Sequence, residues 1–333
     1  MKKNAVHWLL LTGWLLIAQP LHAQLQDDQE VRQFIAEMVA KHGFAESQLV
    51  SVFSEAKVSN TILEAISRPA EAKPWYQYRP IFLQNERIRL GREFIKQNHD
   101  ELLEAEQRYG VPPEIIAAII GVETRYGKNT GSYKVIDSLV TLGFKYPKRS
   151  EFFRSELEQF LLLAREQGID PRSVKGSYAG AMGIPQFISS SYRNFAVDFD
   201  NDGSIDIWAN PADAIGSVAN YFSEHGWVNG EQIVVRAKVS GDRYQPLIDG
   251  KLELDRTVSD LAAYGVTAGG NLKADSKARL FRYELEDGEE FWLGLNNFYV
   301  ITRYNRSPLY AMAVVQLAEQ IAEYRNEVVR IDE

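Results

Sequence analysis

The stretch VPPEIIAAIIGVETRYG, Val111 to Gly127, constrains the rest of the chain most. Pro112 and Pro113 suit the first turn of a helix, where a missing N–H leaves no bond unmade. Ile115 to Val122 is apolar or small at every position, so the pattern predicts a helix buried all round rather than an amphipathic one. Gly127 is a natural stop. One carboxylate sits inside this dry run. Glu123 follows Ile116, Ile119 and Ile120 by seven, four and three residues, so its own face of the helix is apolar. It also lies near the C-terminal end, where the helix dipole opposes added negative charge. Burial and dipole together favour the protonated acid, the form a general acid needs. Two readings fit at this point: a catalytic acid, or a structural ion pair with a cation such as Arg125.

The first 23 residues read as a signal peptide. Lys2 and Lys3 form a positive start, Trp8 to Ala18 an apolar segment too short for a standard membrane span, and Leu21-His22-Ala23 a cleavage site. The competing reading is an uncleaved N-terminal anchor. No later stretch is apolar over a membrane's width, so the mature chain of 310 residues is expected to be soluble. That length is ample for a large core and about two domains.

Composition excludes several classes. The formal charge is −8, or −10 without Lys2 and Lys3, and no basic groove is visible, so nucleic-acid binding is not expected. There is no Cys, hence no disulfide and no lipidated N-terminal Cys. Of five His, only His42, His99 and His225 lie outside the leader, scattered, with neither HExxH nor a zinc constellation. A serine triad would have to recruit one of these without a nucleophile-elbow motif.

From Asp27 to Leu63 the pattern is helical, with Val31, Phe34, Ile35, Met38 and Val39 on one face. Ala70 to Pro80 reads as a loop whose Trp75, Tyr76 and Tyr78 either line a sugar cleft or pack on a neighbouring helix. Asn85 to Tyr109 reads as one helix. Ser150 to Glu166 is strongly amphipathic, with Phe152, Leu157, Phe160, Leu161 and Ala164 inward. Just before it, Lys148-Arg149 is a basic pair on a loop, either solvated or facing an anionic substrate. GSYAGAMGIPQF, Gly176 to Phe187, is rich in small residues that let backbone approach a ligand or another helix, with Ser177 and Gln186 beside them as hydrogen-bonding groups.

DFDNDGSIDIWANPAD, from Asp198, has the spacing of a cation loop. Asp198, Asp200 and Asp202 occupy positions 1, 3 and 5 of an EF-hand-type loop, Gly203 position 6, Ser204 position 7 through its carbonyl, and Asp206 position 9. Ala209 stands at position 12 in place of the usual Glu, and Asp213 is the expected substitute. Hard oxygen ligands at alternating positions favour Ca²⁺ in a structural role, with Na⁺ able to substitute. The competing reading is an acidic turn without metal. Ala212 to Tyr221 follows as a helix. From Gly230 to Leu295 short alternating runs separated by Gly and Asp turns predict a small antiparallel β unit, and Ser307 to Tyr324 returns to helix.

Taken together, GVETRYG, LxFxYPKR, KGSYAGAMGxxQF, YxxFAVDFDxDGxIDIW, DAIGSVANYFxxHGW and NFYVITRYNRSPLYAMAV resemble the membrane-bound lytic murein transglycosylase B family, over about Trp75 to Leu317. The resemblance implies an α+β, mainly α fold: a helical N-terminal domain (24–100), a lysozyme-like core (101–229) with the cation loop at 198–213, an inserted antiparallel β domain (230–295) and a return to the core (296–333). It implies cleavage of the MurNAc–GlcNAc bond of peptidoglycan without water, leaving a 1,6-anhydromuramoyl end. Glu123 matches the family's acid/base. Ser177, Gln186, Tyr221, Tyr304, Asn305 and Tyr310 match positions lining its sugar cleft, and Lys148 and Arg149 basic positions near the stem peptide. Asp198, Asp200, Asp202, Ser204 and Asp213 match its calcium loop. Implied partners are glycan strands, stem peptides and cell-wall synthesis proteins, for a monomer in the periplasm.

A one-carboxylate reaction agrees with the residues. Ordinary glycosidases need two carboxyl groups flanking the bond. Glu114 is nine residues from Glu123, and nine steps of about 100° place it on the opposite face of the helix. Two other classes remain: a hydrolytic muramidase and a non-catalytic peptidoglycan-binding scaffold.

Overall fold

The computed structural model describes residue 25 and residues 28–68, 73–248 and 250–331, with side chains to residue 322. The leader at 1–23 lies outside the described residues. The chain divides into two compact units, residues 1–54 and 55–333, described in turn.

In the first unit, α1 spans Gln29–His42 and α2 Glu46–Glu55. Asp28 caps α1 by accepting the Glu30 N–H, and Gly43, at φ 66°, ends it. This stop divides the single helical pattern expected over Asp27–Leu63. Val31, Phe34, Ile35 and Met38 are buried on one face, and the Phe34 and Phe53 rings meet edge to face at 5.9 Å.

The second unit opens with α3 (Asn60–Ile66) and α4 (Trp75–Phe82). The expectation of a loop over Ala70–Pro80 fails from Trp75 onward. Trp75 and Tyr78, three residues apart, are both 1% exposed, and their burial overrides the local proline punctuation. Trp75 packs 5.2 Å from Tyr283, a strand residue, and α4 also packs against the last helix of the chain, in keeping with the packing reading of these aromatics. Next come α5 (Asn85–Gln97) and α6 (His99–Tyr109). The single helix expected here breaks at Asn98, whose side-chain amide donates to the Phe94 carbonyl and competes with the helical ladder.

The central helix, α7, spans Pro113–Thr124, and Ile115 to Val122 are buried throughout. Gly121 is needed there: a Cβ would stand 2.5 Å from the Tyr126 hydroxyl, which donates to the Arg87 carbonyl at 2.9 Å. After the two-residue strand β1 (Tyr133–Lys134), α8 (Val135–Lys145) and α9 (Ser150–Glu166) pack together. The inward face of α9 carries Phe153, not Phe152: Phe153, Leu157 and Phe160 share one stripe, while Phe152 lies half-exposed under Arg149 at 4.2 Å. Strand β2 (Lys175–Gly176) pairs antiparallel with β1. Helices α10 (Ser189–Phe195) and α11 (Pro211–Glu224) flank the acidic loop.

A five-stranded antiparallel sheet follows, formed by β3 (Val234–Val239), β4 (Arg256–Thr257), β5 (Val266–Ala268), β6 (Lys277–Glu284) and β7 (Glu289–Gly294) in the order β4-β6-β7-β3-β5. Short helices α12 (Gln245–Ile248) and α13 (Val258–Ala262) cover it. Val235, Leu280 and Leu293 share its buried face with Leu247 and Leu261. The chain then returns through α14 (Asn296–Tyr304) to α15 (Pro308–Ile331), which packs on α7. This is a lysozyme-like helical core carrying a small inserted β unit.

Candidate active site

The end of α7 is pinned before it presents its acid. The Thr124 hydroxyl donates to the Ile184 carbonyl at 2.9 Å and accepts the Gly127 N–H at 3.0 Å. Arg125 and Tyr126 both take left-handed backbone conformations, φ 51° and 61°, which turn the chain sharply after Glu123. Glu123 is half-buried. The Tyr310 hydroxyl, from the first turn of α15, donates to Glu123 Oε1 at 2.5 Å. Arg125, the cation the sequence offers as an ion-pair partner, places its charge near Arg87 and Glu86.

Behind this pair lies an aromatic cluster. Tyr304, at the end of α14, donates to the Pro185 carbonyl at 2.5 Å, and Tyr221, on α11, to the Arg303 carbonyl at 2.7 Å. The rings of Tyr221 and Tyr304 meet at 4.9 Å, and Phe187 stands 5.8 and 5.9 Å from them. His225 stacks on Tyr221 at 4.0 Å, and burial lowers its pKa. Burial raises Tyr310 and Tyr304 well above the ordinary phenol value, and the Glu123 charge adds to it. Burial likewise pushes Tyr221 up to about 12. All three therefore stay phenols near neutral pH, able to donate.

The loop between β2 and α10 forms a second wall. Ser177 Oγ accepts the Ala181 N–H at 3.0 Å, and the Ser177 carbonyl accepts the Ser138 hydroxyl. Gln186, at φ 54°, donates through Nε2 to the Thr130 and Gly183 carbonyls at 3.0 and 2.9 Å. Both side chains thus hold their own loop while keeping the Ser177 O–H and Gln186 Oε1 for other partners. Ile184 N–H donates to the Ile207 carbonyl at 2.8 Å, joining this loop to the acidic one. Asn305 follows α14 directly and is half-buried. Lys148 and Arg149 are exposed on the turn before α9, and among the described residues neither contacts Glu123 or the tyrosines.

One buried acid escapes the sequence reading. Glu156 on α9 is 5% exposed and accepts the Ser190 N–H at 2.9 Å and the Ser190 hydroxyl at 2.7 Å, holding the start of α10. Burial raises its carboxyl above the ordinary range, partly offset by those bonds. Its signal was helical register: it lies three residues after Phe153 and four before Phe160, on their face.

In the acidic loop, carboxylate oxygens of Asp198, Asp200 and Asp202 lie within 4.8 Å of one another. Left-handed Asn201 (φ 59°) and Gly203 (φ 94°) fold them together, and the Asp198 carboxylate accepts the Asp202 and Gly203 N–H groups at 3.1 and 2.9 Å. Three converging hard oxygens fit Ca²⁺. Ser204 lies on the exposed tip, its N–H bound to Asp202. Asp206 instead takes the N–H groups of Trp208 and Ala209, both at 2.9 Å. Asp213, fully buried, accepts the Phe199 N–H at 2.8 Å and the Asp206 N–H at 2.7 Å, clasping both arms of the loop to α11. Burial and the charges of Asp200 and Asp198 raise its carboxyl.

A half-buried carboxylate held by a buried tyrosine, beside an aromatic wall in a lysozyme-like helical core, defines an enzyme of the glycan-cleaving kind. The chain belongs to the transglycosylase SLT domain family, which it matches over residues 26–319, and it is a lytic transglycosylase. It is 44% identical to membrane-bound lytic murein transglycosylase B of Escherichia coli K12 over 326 residues, 93% of this chain and 88% of that one. Among solved structures it is similar to the catenated lytic transglycosylase SltB1 of Pseudomonas aeruginosa, with TM-score 0.86, 52% identity and coverage of 90% and 98%. E. coli lytic transglycosylase Slt35, solved in complex with calcium, gives TM-score 0.82, 44% identity and coverage of 93% and 99%. P. aeruginosa SltB3 in complex with NAG-anhNAM-pentapeptide gives TM-score 0.75, 30% identity and coverage of 88% and 79%. Among the described residues, no helix is long and apolar enough to cross a membrane.

Proposed function

We propose that this lytic transglycosylase cleaves the MurNAc-β-1,4-GlcNAc bond of peptidoglycan non-hydrolytically, with Glu123 as acid and then base. The observation that carries the reading is the Glu123–Tyr310 pair at the end of an otherwise apolar helix. Protonated Glu123 gives its proton to the glycosidic oxygen as the bond from C1 breaks. Tyr310 donates to the carboxylate left behind, steadying its charge and its orientation. The C6 hydroxyl of the same muramoyl residue then attacks C1 and gives its proton back to Glu123. The C1–O6 bond closes a 1,6-anhydro ring, and no water is consumed. Attack within one sugar gains from proximity. The complex of SltB3 with an anhNAM ligand supports this product.

Tyr221, Tyr304 and Tyr310, whose phenol protons go to Arg303, Pro185 and Glu123, would shape the wall of the sugar cleft, with Ser177, Gln186 and Asn305 orienting hydroxyl and N-acetyl groups. Lys148 and Arg149 would meet stem-peptide carboxylates. Asp198, Asp200 and Asp202 would hold Ca²⁺, with Ser204, Asp206 and Asp213 around them. The ion supplies charge neutralisation in the loop and no step of the reaction, and the calcium complex of Slt35 supports it. The leader at 1–23 directs the chain to the periplasm in this reading, where it acts as a soluble monomer. The helical, β and returning segments keep the boundaries 24–100, 101–229, 230–295 and 296–333.

Digestion of purified sacculi followed by mass spectrometry tests the reaction. Released muropeptides should carry anhydro ends one water lighter than hydrolysed ends. Reducing ends alone would establish a muramidase, and no release at all a binding scaffold.

A further inference from the structure

The inserted β unit has a cavity of about 540 Å³ at the edge where β4 pairs with β6, in the size range of small-molecule sites. Its most unusual lining residue is Arg279. This side chain is only 8% exposed, and burying a cation without a partner is costly. Among the described residues it has no carboxylate partner, and its one hydrogen bond is a long 3.5 Å contact to the Leu247 carbonyl. Gly250, with φ 129°, borders the same group at 3.6 Å from its ideal Cβ, so this position puts no side chain in front of the guanidinium. A nine-tenths-buried cation lining an open cavity calls for an anion from outside.

The rest of the lining narrows the chemistry. Arg256 adds a second cation, whereas Glu253 and Asp255 place two carboxylates at the exposed rim. Leu261 and Leu280 supply an apolar floor. The rim acids disfavour a dianion such as phosphate and favour a ligand with a cationic group at a few ångströms from its carboxylate. An apolar floor suits a short aliphatic body between them. A second cavity, of about 390 Å³, shares Gly250, Lys251 and Glu253 with the first and reaches Arg303, beside Tyr304 at the end of α14.

The geometry points to a carboxylate site in the β unit that seats the C-terminus of a short peptide, with Arg279 as its anchor, Arg256 assisting and Glu253 and Asp255 meeting the peptide's amine. Only the source of the peptide, a stem peptide of the glycan strand, rests on the proposed function. The β unit would then hold substrate at a distance from the acid, binding peptide while the helical core handles sugar.

Isothermal titration of the full-length protein with alanyl-alanine tests the site, because binding is read without any cleavage. Alanyl-alaninamide, which lacks the carboxylate, should bind about tenfold more weakly or not at all, the scale of one lost charge-assisted hydrogen bond. N-acetyl-alanyl-alanine should lie between them. Arg279→Met should abolish the preference for the free acid, and Arg256→Gln, at a half-exposed position, should weaken it if the first variant does not fold. Equal binding of acid and amide, tighter binding of inorganic phosphate, or no binding of the dipeptide by wild type overturns the proposal. Failure of sacculus digestion would refute the proposed function and leave these measurements standing.

Discussion

The Tyr310 hydroxyl stands 2.5 Å from Glu123 Oε1, although 187 residues separate the two in the chain. The phenol is almost wholly buried, so its only use to the acid is as a fixed donor. A donor fixed in advance costs no reorganisation when charge develops on the carboxylate. This pairing makes the two side chains separable by mutation.

Glu123→Gln keeps shape and can still accept from Tyr310. Turnover on sacculi should fall at least ~10²-fold, the usual scale for a positioned acid or base, with the melting temperature unchanged. Turnover like wild type would remove Glu123 from the chemistry.

Tyr310→Phe deletes one donor to a charged group. The expected loss in kcat is about tenfold to a hundredfold, from about 1.5–3 kcal/mol for such a bond, with little change in KM. A change in melting temperature with kcat intact would make Tyr310 a packing residue only.

Glu156 gives a pH signature. Its folded carboxyl is raised above the ordinary 4.5 by burial, so the folded state binds a proton more readily than the unfolded chain. Stability from this group is full below about 4.5 and is lost as pH rises through the folded value. The melting temperature of wild type relative to Glu156→Gln should therefore fall as pH rises above about 4.5. A gap that stays constant, or moves in favour of wild type, contradicts the assignment.

Calcium should raise the melting temperature, following RT ln(1 + [L]/Kd), and Asp198→Ala should abolish the rise. Three carboxylates within 4.8 Å repel one another until an ion neutralises them. If neither saturating Ca²⁺ nor chelator moves the wild-type melt, the loop is an acidic turn.

The central helix was legible because its signals are local, two prolines and an unbroken apolar run, but its stop was misplaced: left-handed Arg125 ends it, ahead of Gly127. The acid's donor was not legible from spacing, since no periodicity links positions so far apart, and only the family resemblance singled out Tyr310. Local punctuation misled at Trp75–Phe82, where two buried aromatics outweigh Pro74 and Pro80, and at Asn98, where one side-chain amide interrupts a helix of good periodicity. Glu156 was in register with the inward stripe, four residues before Phe160, but its partner Ser190 lies 34 residues on, and no spacing shows such a pairing. The carboxylates at 198, 200 and 202 converge as their alternation suggests, whereas the role of Asp213 in clasping backbone needed coordinates.

The return of the chain through α15 to α7 has a consequence in time. Synthesis runs from the N-terminus, so Glu123 leaves the ribosome first, then the whole β unit, and Tyr310 after both. A chain stopped anywhere between Glu123 and Pro308 carries the acid without its donor and lacks the helix that packs on the acid's own. A nascent or truncated chain of this enzyme therefore holds its acid without the contact that fixes it, and that contact forms only when α15 docks on α7.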